Sequence, residues 1–95
     1  MSSEAAIARL RTAPARAVGA NQTARAIARG SAVEAFIAAD ADAKVVEPVV
    51  RAAAERGIGL TEVESMTALG RACGIAVGAA AAAVLLEDAA SGSAH

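Results

Sequence analysis

Gly19-Ala20-Asn21-Gln22-Thr23-Ala24-Arg25 is the stretch of this 95-residue chain richest in groups that could act on a ligand. A glycine turn there delivers two amide side chains, a hydroxyl and a guanidinium to the start of a helix. Backbone N–H groups at such a start attract phosphate, and Asn and Gln can each donate and accept on a base edge. Arg25 follows Asn21 by four residues and so shares its face, and Arg29 extends that face by another turn. The same residues also read as a plain helix cap with solvated arginines. Residue chemistry alone leaves both readings open.

Catalysis is harder to assemble. The only histidine, His95, is the last residue, and no nucleophile stands near a base in sequence. Asp40 and Asp42 suggest a metal pair, but two carboxylates in a turn before a helix serve more often as caps. Cys73, between Ala72 and Gly74 near a helix end, reads as a small core residue rather than a reactive thiol. A lone cysteine also excludes a disulfide framework and the usual cysteine-based zinc site. No enzyme activity, cofactor or metal is expected.

Composition narrows the classes further. An apolar fraction of 56% excludes a disordered chain, and a net charge of -1 excludes a simple polycation. One Phe, with no Trp or Tyr, removes the aromatic platforms on which single strands stack. The charge is unevenly placed. Residues 1–30 hold five arginines against Glu4 alone, whereas residues 31–64 hold three basic groups against seven acidic ones. Such a dipolar chain can present a basic face to phosphate while staying near neutral overall, although solvated helix faces would give the same count. Met1-Ser2-Ser3-Glu4 lacks the basic start of a signal peptide, and the apolar run Ile75 to Leu86 is too short for a membrane span. These features point to a soluble, cytoplasmic protein.

The elements that must position these groups alternate. Ser3 could cap a first helix from Glu4 to Thr12, ended by Pro14. Ala15 to Val18 is a short strand. Asn21 then caps a helix over Gln22 to Arg29, stopped by Gly30. Ser31 to Ala38 is a buried strand. Asp42 caps a short helical turn that breaks at Pro48 and restarts, ending at Arg56-Gly57, with Val45/Val49 and Val46/Val50 facing the sheet. Ile58 to Val63 is a third strand, Ser65 caps a helix from Met66 to Cys73, and Gly78 to Leu86 is a last, alanine-rich strand. This order predicts an α/β fold, a three-layer α/β/α sandwich around a small mixed sheet of about four strands. Residues 1–88 are expected to form a single domain, and 89–95 a frayed tail.

Taken together, Gly19-Ala20-Asn21-Gln22-Thr23-Ala24-Arg25, Arg29-Gly30-Ser31 and Phe36-Ile37-Ala38-Ala39-Asp40-Ala41-Asp42 resemble the kink-turn RNA-binding ribosomal protein superfamily of L-seven-Ae and L-thirty-e type. Glu64-Ser65-Met66, Leu69-Gly70-Arg71-Ala72-Cys73-Gly74-Ile75 and Val77-Gly78-Ala79-Ala80-Ala81 look most like its small bacterial, YbxF-like branch. The resemblance runs from about Val18 to Leu86. It implies a noncatalytic protein that binds a kink-turn, a bent duplex with a bulge beside tandem sheared G·A pairs. Asn21, Gln22 and Arg25 would enter the widened major groove, and Ile75-Ala76-Val77 would pack on the bulge. Asn21 stands where bacterial relatives commonly carry Lys, and Ala76 where relatives often carry Glu.

The expected RNA-binding set is therefore Gly19, Asn21, Gln22, Thr23, Arg25, Arg29, Ile75, Ala76 and Val77. Asn21, Gln22, Arg25 and Arg29 should form one exposed patch flanked by the 75–77 loop. Ile75 and Val77 should be more exposed than Val49, Val50 or Val84. The expected partner is a structured RNA with a kink-turn, ribosomal or riboswitch, bound by a monomer away from any membrane. The alternative is a protein-interaction module of the same fold that binds no RNA.

Overall fold

Three consecutive alanines, Ala81, Ala82 and Ala83, have no solvent exposure at all and form the middle of the sheet. The computed structural model describes residues 2–86, so the expected tail at 89–95 lies outside the described residues. Its elements are α1 (Ser2–Thr12), β1 (Arg16–Val18), α2 (Ala20–Ala28), β2 (Ala32–Ala38), α3 (Ala43–Arg56), β3 (Gly59–Val63), α4 (Met66–Ala72) and β4 (Ala81–Leu85). The sheet order is β1-β4-β2-β3. β4 runs antiparallel to both neighbours, and β2 pairs with β3 in parallel. The four-stranded mixed sheet and the helix–strand alternation are as expected.

Two helix layers cover the sheet. On one face Leu10 of α1 and Leu69 of α4 pack with Phe36, Val63 and Ala82. On the other, Ile27 of α2 and Val49 of α3 pack with Ala35, Ala81 and Ala83. Side chains alternate between faces along a strand, so β4 gives Ala82 to the first layer and its two neighbours to the second. A register shift between Ala32 and Glu34 lets Ala32 and Ala35 reach the same layer despite their odd spacing.

Several local expectations are corrected. α3 is one continuous helix through Pro48. Pro48 is exposed, so the hydrogen bond it cannot donate is lost on the solvent side, where water can satisfy the Lys44 carbonyl. The stripe that α3 buries is Val46, Val49 and Ala53, spaced i, i+3, i+7, while Val45 and Val50 are exposed. α1 already runs from Ser2, which places Ser3 inside the helix rather than at its cap. β4 starts at Ala81, not Gly78, because residues 73–80 form a loop. Ser65 caps α4 as expected, its hydroxyl accepting from Ala68 N–H at 3.0 Å. Asp42 caps α3 by accepting from Lys44 N–H at 2.9 Å.

Two arginines fasten layers together. Arg9 on α1 donates from Nε and Nη2 to both carboxylate oxygens of the half-buried Glu34 on β2, at 2.6 and 3.0 Å. That carboxylate raises the Arg9 pKa above its ordinary value, first through the hydrogen bond and then through charge. Arg16 donates at 3.4 Å to carbonyls of Leu10, Arg11 and Ala72, where the C-terminal ends of α1 and α4 concentrate negative potential.

Alanine's size sets the distance between layers in this fold. Ala82→Leu should therefore force the α1/α4 layer outward and destabilise the protein by roughly 1–3 kcal/mol in urea unfolding. A variant as stable as the parent would show that the layers yield freely.

Candidate nucleic-acid interface

The chain leaves β1 through Gly19, whose φ of 99° an L side chain would rarely adopt. That residue, not Asn21, is the N-cap of α2, and no side chain caps the helix. The expected Asn21 cap is thus corrected. Because the glycine already turns the chain, the helix begins at Ala20 and Asn21 lies in its first turn with its amide exposed. Thr23 N–H donates to the Gly19 carbonyl at 2.9 Å. The N–H groups of Ala20, Asn21 and Gln22 precede the first such bond, and no acidic residue lies in the turn. The positive end of the helix dipole is therefore uncompensated locally.

α2 buries Thr23, Ala26 and Ile27 and exposes Asn21, Gln22, Arg25 and Arg29. Thr23 is completely buried, because position 23 falls on the stripe that faces the sheet. Its hydroxyl has no hydrogen-bond partner among the described residues. Arg25 and Arg29 form no ion pair among the described residues. Arg29 is the C-cap, about 12 Å along the axis from Asn21 at 1.5 Å per residue. It shares the outer face but lies toward the opposite end of the helix.

The 75–77 loop reaches the same end of the sheet as Asn21. Gly19 N–H donates to the Ala81 carbonyl at 2.8 Å, and Ala38 N–H donates to that of Ala80 at 2.9 Å. The rim where β1, β2 and β3 end is thus where β4 begins. Val77 is 71% exposed against 39% for Val50, and Ala76 is exposed. Ile75 is half-buried against the α1/α4 core, so the exposure expected of both residues holds for Val77 alone. Ile75 supports the loop from beneath.

The remaining reactive groups have structural employment. Asp42 caps α3, and Asp40 reaches across to accept from Met66 N–H at 2.8 Å. Nothing in the sequence marks that second bond, since it joins turns 26 residues apart. No group of three or more metal-ligating side chains occurs among the described residues. A groove of about 500 Å³ on the α1/α4 side is lined by Ile7, Val63 and Ala68 with Arg11, Arg71, Glu62 and Glu64, without a cysteine or histidine. No helix among the described residues is long and apolar enough to cross a membrane. Cys73 is free and buried, and burial pushes its thiol pKa up, with Arg16 opposing more weakly.

Comparison with known proteins gives a consistent result. The family described as ribosomal protein L7Ae/L30e/S12e/Gadd45 matches residues 1–92. The chain is 48% identical over 68 residues to a Geobacillus stearothermophilus protein named RNA-binding protein YbxF, covering 72% of this chain and 83% of that one. It is 44% identical over 75 residues to RNA-binding protein TTE2299 of Caldanaerobacter subterraneus, covering 79% and 92%. Among solved structures, the Giardia lamblia 15.5kD RNA binding protein superposes with a TM-score of 0.76 at 31% identity, covering 90% of this chain and 72% of that chain.

The buried, protonated thiol of Cys73 should resist modification. Labelling with a thiol reagent at neutral pH is expected to be slow in the folded protein and fast in denaturant. Equal rates in both would restore Cys73 as a reactive group.

Proposed function

The chain belongs to the ribosomal protein L7Ae/L30e/S12e/Gadd45 family, and we propose that it is a noncatalytic RNA-binding protein whose target is a kink-turn. One observation carries the reading. The exposed groups on α2 that suit a base edge, Asn21, Gln22 and Arg25, stand at or one turn below an uncapped helix start. The same rim holds the exposed apolar Val77.

Each part has a task in that complex. The N–H groups of the first turn donate to a phosphate oxygen and hold the helix against the backbone. Arg25 has no carboxylate partner among the described residues and can donate two parallel hydrogen bonds to O6 and N7 of a guanine. Asn21 and Gln22, with a donor and an acceptor each, read the neighbouring base edges of the sheared pairs. Val77 offers an apolar surface to a nucleotide of the bulge, while Ala76 leaves room beside it. Gly19 contributes by turning the chain at β1. Arg29, far down the helix, is placed to meet flanking phosphates.

The test separates reading from attraction. Alanine at Asn21 or Arg25 should weaken binding to a kink-turn about 5- to 150-fold, the value of a lost specific contact. A plain duplex should be bound only slightly less well. Arg11→Ala, on the other side of the sheet, should weaken either RNA little and lower the salt slope by no more than roughly 0.7–0.9. Titrations on both RNAs at two salt concentrations measure all three. Equal weakening of both RNAs by Arg25→Ala would reduce the interaction to charge attraction. No RNA binding by the folded wild type would favour a protein-interaction module instead.

A further inference from the structure

The exposed loop is seated on α4 through a contact that only glycine permits. A Cβ placed on the buried Gly70 would lie 2.2 Å from the Val77 carbonyl oxygen and 3.1 Å from the Gly78 Cα. At such a distance helix or loop backbone must move, because no flexible side-chain end is there to yield. A second close contact lies one turn earlier on the same helix: a Cβ on Gly78 would meet the Met66 Cβ at 3.0 Å and the Met66 carbonyl carbon and oxygen at 3.2 and 3.3 Å. Hydrogen bonds hold both ends of the loop to the same helix. Ile75 N–H donates to the Gly70 carbonyl and Ala79 N–H to the Met66 carbonyl, each at 3.0 Å. The start of α4 is in turn fixed by the Ser65 hydroxyl and the Asp40 carboxylate.

We infer that Gly70 is a positioning residue of the RNA surface: lacking a side chain, it lets the Val77 peptide lie directly on α4 and so sets where Val77 stands relative to Asn21 and Arg25. The inference rests on the RNA-binding reading above. The two recognition segments belong to different layers, α2 on one face of the sheet and the α4-borne loop on the other. A rigid RNA bridging them is sensitive to their spacing, and a shift of about 1 Å in a supporting element is enough to spoil such geometry.

The experiment compares Gly70→Ala, Gly78→Ala and the control Gly59→Ala, whose added Cβ meets nothing within 4 Å. Three quantities are measured on each: amide hydrogen exchange at Ile75 and Ala79, affinity for a kink-turn, and affinity for a plain duplex. In Gly70→Ala the two amides should lose protection, and kink-turn affinity should fall about tenfold while duplex affinity stays unchanged. Gly78→Ala should shift both readouts less in the same direction, and Gly59→Ala should shift neither. If Gly70→Ala does not fold, Gly78→Ala decides on the same two readouts. Wild-type kink-turn affinity with altered loop amides would overturn the inference, as would equal loss on both RNAs or no change in either readout. A wild-type protein that does not prefer the kink-turn overturns the RNA reading and the positioning role together, and it is recognised before any variant is made.

Discussion

The rim where the start of α2 meets the 73–80 loop depends on β4 being thin. Ala81, Ala82 and Ala83 fill the sheet's centre with single methyl groups, so the helix layers come close to the backbone on both sides. Methyl groups bury little area each, and stability comes from close, complementary contact over the whole layer. That closeness has a positional result. β4 begins where Gly19 N–H and Ala38 N–H find the Ala81 and Ala80 carbonyls, so one short segment fixes the ends of β1 and β2. The uncapped start of α2 and the 73–80 loop are thereby brought to one rim from opposite layers.

The arginines divide by what they touch. Arg9 is committed to Glu34, Arg16 to carbonyls of α1 and α4, and Arg56 donates to the Ala28 carbonyl at the end of α2. Arg51 pairs with Glu47 one turn away on α3. A guanidinium already holding acceptors must give them up before it can bind a ligand, and the exchange gains little. Arg25 and Arg29 have no such obligation among the described residues. A count of basic residues in the first third of the chain therefore overstates what is available to RNA, whereas the α2 face holds its charge free.

The alternation of elements was legible because α2, α3 and α4 are bounded by signals that act locally: Ser65 and Asp42 at starts, and Gly30 and Gly74 beyond ends, both with positive φ. Legibility failed where a choice depended on solvent or on distant backbone. Pro48 looks like a break, yet a proline on the wet side of a helix costs only a bond that water replaces. Val45 and Val50 match the buried valines in type, and only the rotation of α3 on the sheet decides which stay outside. Asn21 has the chemistry of a cap, but Gly19 turns the chain two residues earlier and frees that amide for another use. The exposed members of the candidate site follow from their helical spacing. The Thr23 hydroxyl suggests a contact by its chemistry, while its spacing to Ala26 and Ile27 places the side chain inside. Gly70 carried no more signal than a glycine inside a helix, since its neighbour Val77 arrives from a separate loop.

Sheet order also explains how a chain of net charge -1 could present itself to a polyanion. Along β1-β4-β2-β3, the β1 end of the rim carries the start of α2, while the loop leading into β4 lies on α4, whose first turn is held by Asp40. The β2/β3 half carries the turns with Asp40, Asp42 and Glu64, and Glu62 at the end of β3. The division is one of topology, because the acidic turns follow the two parallel strands and the α2 start follows the antiparallel edge strand. Exposed charges act over a screening length of about 8 Å at physiological salt. On the proposed RNA-binding reading, the acidic turns disfavour an RNA backbone over β2 and β3 and leave the start of α2 and Arg25 as the side open to it. On that reading the acidic surplus restricts the approach to the side of the rim on which Asn21, Gln22 and Arg25 are presented.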